Sequence, residues 1–207
     1  MRECAARNPA PNRLRTILTD QQSPAQSQTA PSITALGLLA ASWGLLGACG
    51  VLLYAIVRLG SVSIEALQMD LTPIHWAVML VNIVFMAYSE GYRGFQCGYA
   101  PRLAARARYL LRHSSYLDAV LAPLFCMGFY QAPRRRIIFS FALLLMIIGF
   151  IVFFRYIPQP WRGILDAGVV VGLGWGLATI LVSAYQAFAA TSYPVDPEVR
   201  RAATPAA

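Results

Sequence analysis

The sequence predicts an all-α polytopic membrane protein, and three observations carry that prediction. Of the 207 residues, 57% are hydrophobic and only 13% are charged, about half the charged share of a typical soluble domain. Several apolar runs are long enough to cross the ~30 Å hydrocarbon layer of a bilayer as a helix. All seventeen basic residues are arginine, and most of them lie beside these runs. We therefore expect four transmembrane helices, one re-entrant or short fifth membrane helix, and a basic amphipathic interfacial helix.

The two ends of the chain differ in composition from the middle. Residues 1–31 are rich in Pro, Gln, Ser and Ala and carry four arginines, and residues 191–207 are small and polar. Neither stretch has the apolar periodicity that packing requires, so both are predicted to be disordered tails. Residues 32–190 then form the helical membrane domain. An organellar transit peptide is an alternative for the basic N-terminal tail.

The first span is predicted over 33–57, and one of its faces is lined with small side chains. Small residues four apart let two helix backbones approach closely, either within the chain or in a homodimer. Residues 58–73 carry Arg58, Glu65 and Asp70 and predict a short amphipathic helix at the membrane surface. The predicted packing residues of the first span are Ala40, Gly44 and Ala48.

The second span is predicted over 74–88 and runs into the distinctive sequence Ser-Glu-Gly-Tyr-Arg-Gly-Phe. Glu90 and Arg93 are three residues apart, so on an α-helix they face each other and pair. We expect an ion pair at the interface that anchors the span, with Glu90 near water. A site for a headgroup, a proton or an ion is the alternative. Asn82, in the middle of the span, is expected to bond to another helix.

A basic amphipathic helix is predicted over 101–113, because its arginines share one face and its leucines and alanines share the other. This pattern is typical of a helix that lies in the headgroup layer. Together with a downstream arginine triplet, it predicts contact with anionic headgroups. The predicted contact residues are Arg102, Arg106, Arg108, Arg112, Arg134, Arg135 and Arg136.

The segment 114–132 is ambiguous, since its apolar core is only about a dozen residues long and contains Pro123. As a re-entrant hairpin it leaves fourteen arginines on one side of the membrane and three on the other; as a full span it leaves eleven and six. Arginine-rich loops stay cytoplasmic. We therefore predict a re-entrant element with Asp118 at its mouth, in a bacterial inner membrane with a cytoplasmic N-terminus. A full third span remains the alternative.

Two further spans are predicted over 137–154 and 164–189, separated by a proline-rich turn. The last span carries glycines at four-residue spacing, which we expect to face a neighbouring helix. Asp166 is expected in its first turn, where the positive helix end stabilises a carboxylate. The predicted packing glycines are Gly168, Gly172 and Gly176.

Several chemistries are excluded by what the sequence lacks. Without lysine there is no Schiff-base residue and no P-loop lysine. His75 and His113 fall on opposite sides of the membrane in both topologies, so a shared haem or metal site is not expected. The four cysteines occur in different contexts without a CxxC pair, which argues against a zinc site or a disulfide framework. No cofactor, metal or nucleic acid is expected.

These observations favour a non-catalytic membrane protein, namely an accessory, assembly or lipid-organising component of a membrane complex. Its expected partners are anionic lipids on the cytoplasmic face and other membrane subunits or a second copy of itself. A small transporter or channel protomer built around Asp118 and Pro123 is the first alternative, because re-entrant segments line pathways. A lipid-modifying enzyme is the second, although the sequence shows no nucleophile–base set.

Overall fold

The computed structural model describes residues 34–113, 115–131, 134–190 and 193–197, without the side chains at 135, 136, 139 and 143. The N-terminal tail predicted over 1–31 and most of the C-terminal tail lie outside the described residues. Within them the chain is all-helical, with no strands. The predicted fold class is therefore confirmed at the level of helical content.

Seven α-helices and one π-helical segment follow one another along the described chain. The elements are α1 (Ala35–Leu67), α2 (Pro73–Met86), the π-helical segment (Ala87–Tyr99), α3 (Ala100–Arg112), α4 (Tyr116–Val120), α5 (Ala122–Met127), α6 (Arg134–Phe154) and α7 (Trp161–Ala189). Three of these elements, namely α2, the π-helical segment and α3, follow one another without a break and form one rod from residue 73 to residue 112.

Three described helices are long and apolar enough to cross a membrane: α1, the continuous rod, and α7. The apolar part of α6, Ser140–Phe154, belongs to a shorter class. The predicted count of four transmembrane helices and one re-entrant element is therefore not confirmed. The described helices support a membrane protein with three candidate spans.

Helix α1 is longer than the sequence predicted, because it continues through the stretch assigned to a separate surface helix. The reason is packing: Val62, Ser63 and Ala66 are buried where α7 crosses them. Gly163 of α7 fits against this stretch, and a side chain there would collide with Ala66. At the other end, the Thr34 hydroxyl caps α1 by accepting a hydrogen bond from the backbone N–H of Gly37.

The rod and α7 run in the same direction, and α1 runs opposite to both. Asn82 donates hydrogen bonds to the carbonyls of Ile164 (2.9 Å) and Leu165 (3.2 Å) at the start of α7, which confirms its predicted interhelical role. Arg108 reaches the carbonyl of Ala187 near the end of α7. In α1 the order is reversed, since Gly37 lies against the carbonyl of Leu111.

The core lies at the end of the bundle where α3 meets α1, α5 and α7. On α1 it uses the small residues Ala40, Ala41 and Ala48, each 1% exposed. Gly44 lies on the same face, with the sulfur of Cys126 2.6 Å from the position of an added Cβ. The small-residue face of α1 thus packs against α3 and α5.

The apolar face of α3 packs on protein and not on lipid, so the prediction is wrong for that face. Leu103, Ala104, Ala107 and Leu110 are at most 1% exposed, and α1, α5 and α7 all pack against the helix. An amphipathic pattern shows that one face is buried, but lipid and protein bury it equally well. Here protein covers the apolar face.

Candidate functional site

Arg106 of α3 is the largest fully buried side chain, at 1% exposure. Its Nε donates a hydrogen bond to the carbonyl of Pro197 (3.0 Å), and Nη1 donates to the carbonyl of Phe125 (2.8 Å). The guanidinium also lies over the Phe125 ring, 5.6 Å from its centre. The predicted headgroup contact is therefore wrong for this residue, which joins three parts of the chain.

The other predicted headgroup residues differ among themselves. Arg108 donates to the carbonyl of Ala187 at 2.8 Å, in the last turn of α7, where carbonyls lack helical partners and cations are favoured. Arg102 is partly buried, whereas Arg112 and Arg134 are exposed. The side chains of Arg135 and Arg136 lie outside the described residues. Arg112 and Arg134 are thus the most exposed of the predicted headgroup residues whose side chains the structure describes.

The segment 115–131, which was predicted to be re-entrant, forms the two short helices α4 and α5, and its two ends meet. Gln131 Nε2 donates to Asp118 Oδ1 at 2.9 Å, which closes the segment into a hairpin. The other oxygen of Asp118 accepts from the Ser115 hydroxyl at 2.9 Å, in a capping box at the start of α4. Each carboxylate oxygen thus accepts a hydrogen bond within the segment, so Asp118 helps to hold the hairpin together.

The π-helical segment packs against α7 through glycines on both sides. A Cβ added to Gly172 would lie 3.0 Å from Glu90 Oε2, and one added to Gly176 would lie 2.6 Å from the Phe95 ring. Gly91 in turn fits against Trp175. Gly168, Gly172 and Gly176 are all buried; Gly168 faces Asn82 of α2, and at Gly172 the carboxyl of Glu90 sits directly on the α7 backbone.

Glu90 and Arg93 do not form the predicted ion pair. In the described part of the chain no ion pair joins them, and Arg93 is exposed while Glu90 turns toward Gly172. A π-helix bonds residue i to i+5 and winds more widely than an α-helix. Residues three apart therefore no longer share a face, which separates the two charges.

Glu90 also lies deeper than the sequence suggested, because the helix does not end at residue 88. Its partner Gly172 lies about 16 Å along α7 from Trp161 and about 26 Å from Ala189, at 1.5 Å per residue. Any ~30 Å hydrocarbon layer within the length of α7 includes that position. The level of Glu90 therefore falls within such a layer, from about 4.5 Å inside one edge to its middle.

Asp166 is the acid within the candidate span formed by α7. It lies beyond the first turn of α7, contrary to prediction, and is 2% exposed. Its Oδ2 is 3.9 Å from Arg162 Nε, and neither atom has a hydrogen-bond partner among the described residues. At that distance the contact is an ion pair without a hydrogen bond, so it neutralises the buried charge at one end of the bundle.

The cysteines differ from the expectation in one respect, since Cys97 is disulfide-bonded. Cys49 and Cys126 are free thiols. Burial raises the pKa of the Cys126 thiol to about 12, and nearby Arg106 lowers it in part. Such a thiol is a packing residue of low reactivity.

Metal-binding and histidine chemistry find no support in the described residues. They contain no group of three or more His, Cys, Asp or Glu side chains able to hold a metal ion. His75 caps α2 by accepting from the Thr72 backbone N–H and meets the Trp161 ring edge-on at 4.7 Å. His113 stacks on Tyr109 at 4.7 Å. Both histidines therefore have structural roles.

No protein-family model matches the sequence, and searches of curated proteins and of solved structures find no significant match. The function is therefore argued from the residues alone.

Proposed function

We propose that the protein is a non-catalytic accessory or assembly component of a membrane complex. The observation that carries this proposal is the contrast between α6 and the other long helices. α7 packs along both α1 and the rod, and α1 meets the rod at α3, whereas α6 has no extended interface with any other described element. None of the α6 side chains that the structure describes is buried.

Helix α6 has an apolar surface that no other described helix covers. It connects the hairpin at one end of the bundle to the start of α7 at the other, and its exposed side chains are large and apolar along its length. Phe129 meets Phe141 at 5.3 Å near the N-terminal end of α6, and Gly149 has open space around it. We infer that α6 presents its surface to a transmembrane helix of another subunit.

A cross-linker placed on α6 tests this proposal. A photoreactive amino acid in place of Phe150, which is 51% exposed, should capture a second membrane protein that also co-purifies stoichiometrically in mild detergent. The same probe at Ile180, 0% exposed, is the matched control and should capture no other protein. A chain that purifies without a stoichiometric partner and reacts at residue 150 with lipid alone would reject the accessory role.

The second part of the proposal concerns lipid and orientation. Arg112 and Arg134 are exposed at the end of the bundle that holds α3 and the hairpin, and exposed arginines there suit anionic headgroups on a cytoplasmic face. We infer a bacterial inner membrane protein with its N-terminus inside. The hairpin closed by Asp118 and Gln131 supports a re-entrant element, which keeps the arginine triplet on that same face.

Labelling of single cysteines in intact cells tests the orientation. In a background without native cysteines, Gln131→Cys should resist an impermeant thiol reagent applied from outside. Tyr156→Cys, at a residue that is 82% exposed in the turn between α6 and α7, should react readily. Efficient external labelling at residue 131 would mean that the segment crosses the membrane and that the proposed orientation is wrong.

A further inference from the structure

A short piece of chain after α7 crosses from that helix to α3. Residues 193–197 contain neither helix nor strand, and we call them the strap. At one end of the strap, Tyr193 lies beside Ser183 of α7. At the other end, the carbonyl of Pro197 accepts a hydrogen bond from Arg106 Nε at 3.0 Å. The strap therefore ties the end of α7 to the middle of α3.

The strap reaches the hairpin at 115–131 through the same guanidinium. Arg106 Nη1 donates a hydrogen bond to the carbonyl of Phe125 at 2.8 Å, and the guanidinium lies 5.6 Å from the centre of the Phe125 ring. A guanidinium is planar, so its donors point in fixed directions. The position of the Pro197 carbonyl therefore helps to set the orientation in which Arg106 bonds to the hairpin.

That bond acts on the half of the hairpin that attaches it to the bundle. Gly44 and Gly47 of α1 lie against Cys126 and Pro123 of α5, and Cys126 is 2% exposed. Helix α4, the other half of the hairpin, buries none of its side chains. Apolar packing of this kind is not directional, whereas the bond from Arg106 fixes one orientation of α5.

The strap is less buried than the groups it touches. None of its five residues is buried, whereas Arg106 and Ser183 are each 1% exposed. Segments with few buried contacts open at a much lower free energy than the whole fold. An easily opened segment thus supplies a hydrogen-bond acceptor to the largest fully buried side chain of the described chain.

We propose that the strap is a releasable latch on the hairpin and that it acts through Arg106. While residues 193–197 are docked, α5 is held against α1 and α3. When the strap detaches, the buried guanidinium loses an acceptor and turns toward another oxygen or toward water, because an unpaired buried charge is costly. Its bond to Phe125 weakens, and α5 opens while α1, the rod and α7 stay packed. The latch works within one chain, so it is independent of the accessory role proposed for α6.

The thiol of Cys126 reports whether α5 has opened, since a buried thiol resists alkylation until it is exposed. Its reaction with N-ethylmaleimide is followed in detergent by mass spectrometry of the α5 peptide. A chain that ends after residue 192 lacks the strap and should react at least about tenfold faster, because a hydrogen bond from a charged donor shifts an equilibrium by about that factor or more. A chain that ends after residue 200 keeps the strap and should react as slowly as the full chain.

Arg106→Lys tests whether the strap acts through the guanidinium. Lysine keeps the charge but lacks the planar fork that reaches two carbonyls at once, so Cys126 should react faster in this variant. Removal of the strap from the variant should then add little, because both changes disrupt one coupled set of bonds. If the two accelerations multiply instead, the strap acts independently of Arg106 and the proposal is overturned.

A full-length variant covers the case in which the shortened chain fails to fold. Tyr193→Ala removes the contact of the strap with Ser183 and should also accelerate alkylation of Cys126. Tyr185→Ala, the same change at a residue of α7 that is 74% exposed, is the matched control and should not. The proposal is overturned if Cys126 reacts at the same rate with and without the strap, or if Tyr193→Ala leaves the rate unchanged. It is also overturned if hydrogen exchange near Ile164 of α7 rises as much as in α5, since the whole bundle has then opened.

Discussion

Two neighbouring parts of one helical rod differ in how their arginines are placed: those of α3 are bonded within the chain, and that of the π-helical segment is exposed. In α3, Arg106 is 1% exposed and bonded to two carbonyls, and Arg108 is bonded to a third. In the π-helical segment just before it, Arg93 is exposed and has no ion-pair partner among the described residues. The first arrangement stabilises the folded chain by itself. The second leaves the guanidinium at the surface of the chain, where it adds little to the stability of the fold.

The largest effect is expected from removing the arginine that the chain itself satisfies. Arg106→Leu removes two hydrogen bonds from a charged donor, one to the carbonyl of Phe125 and one to that of Pro197, and a bond of this kind contributes about 1.5–3 kcal/mol. The thermal unfolding midpoint of the monomer in detergent should fall steeply. The matched variant Arg93→Leu should leave that midpoint nearly unchanged, and equal losses in the two variants would erase the contrast between α3 and the π-helical segment.

A smaller effect is expected at the seam that sets the position of Glu90. Gly172→Leu puts a side chain where Glu90 Oε2 and the Met86 carbonyl lie 3.0 and 3.3 Å from the Cβ position. Overpacking of this kind costs about 1–3 kcal/mol, so expression and thermal stability should drop. Gly174→Leu is the control, since nothing lies within 4 Å of its Cβ position. Comparable losses at both glycines would show that the seam is not specific.

A smaller effect on stability is expected for Arg108, which donates a hydrogen bond to the carbonyl of Ala187 in the last turn of α7. Arg108→Gln keeps a donor but loses the charge that favours a helix C-terminus, a loss of about 0.3–1 kcal/mol. Hydrogen exchange should accelerate in the last turn of α7, near Ala187, and not at its start near Ile164. Uniform acceleration along α7 would mean that Arg108 supports the whole helix.

The smallest effect concerns Tyr193, which lies after α7 and beside Ser183. Burial raises the pKa of the Tyr193 phenol, although the Ser183 hydroxyl partly lowers it. The folded chain therefore resists ionisation of this group, and its contribution is present below the unfolded pKa of about 10. That contribution is lost as pH rises through the folded value. Tyr193→Phe should remove part of the alkaline destabilisation, and an identical alkaline profile in both proteins would argue against it.

The sequence predicted the helical class, the start of each long helix to within a few residues and the glycine faces that meet other helices. These features follow from local period and residue size. It did not predict that residues 58–67 extend α1, because the packing of Ala66 against Gly163 is set by a helix a hundred residues away. Nor did it predict a π-helix at 87–99, which changes which side chains share a face.

The misplacement of α3 has a more general cause. A face of leucine and alanine opposite a face of arginine reads equally as a surface helix in lipid or as a buried helix whose charges are bonded elsewhere. Arg106 donates hydrogen bonds to backbone carbonyls, and every residue type has a backbone carbonyl. No sequence pattern marks them, so only the three-dimensional arrangement distinguishes the two readings.

The bonds of Arg106 also impose an order on synthesis. Arg106 is translated before α5, which supplies the carbonyl of Phe125. It is also translated before α7 and the segment after it, which supplies the carbonyl of Pro197. Until those segments are made, the guanidinium of Arg106 lacks these hydrogen bonds and water has to solvate it. We therefore expect α3 to reach its final packing only after α7 and the segment that follows it have been made.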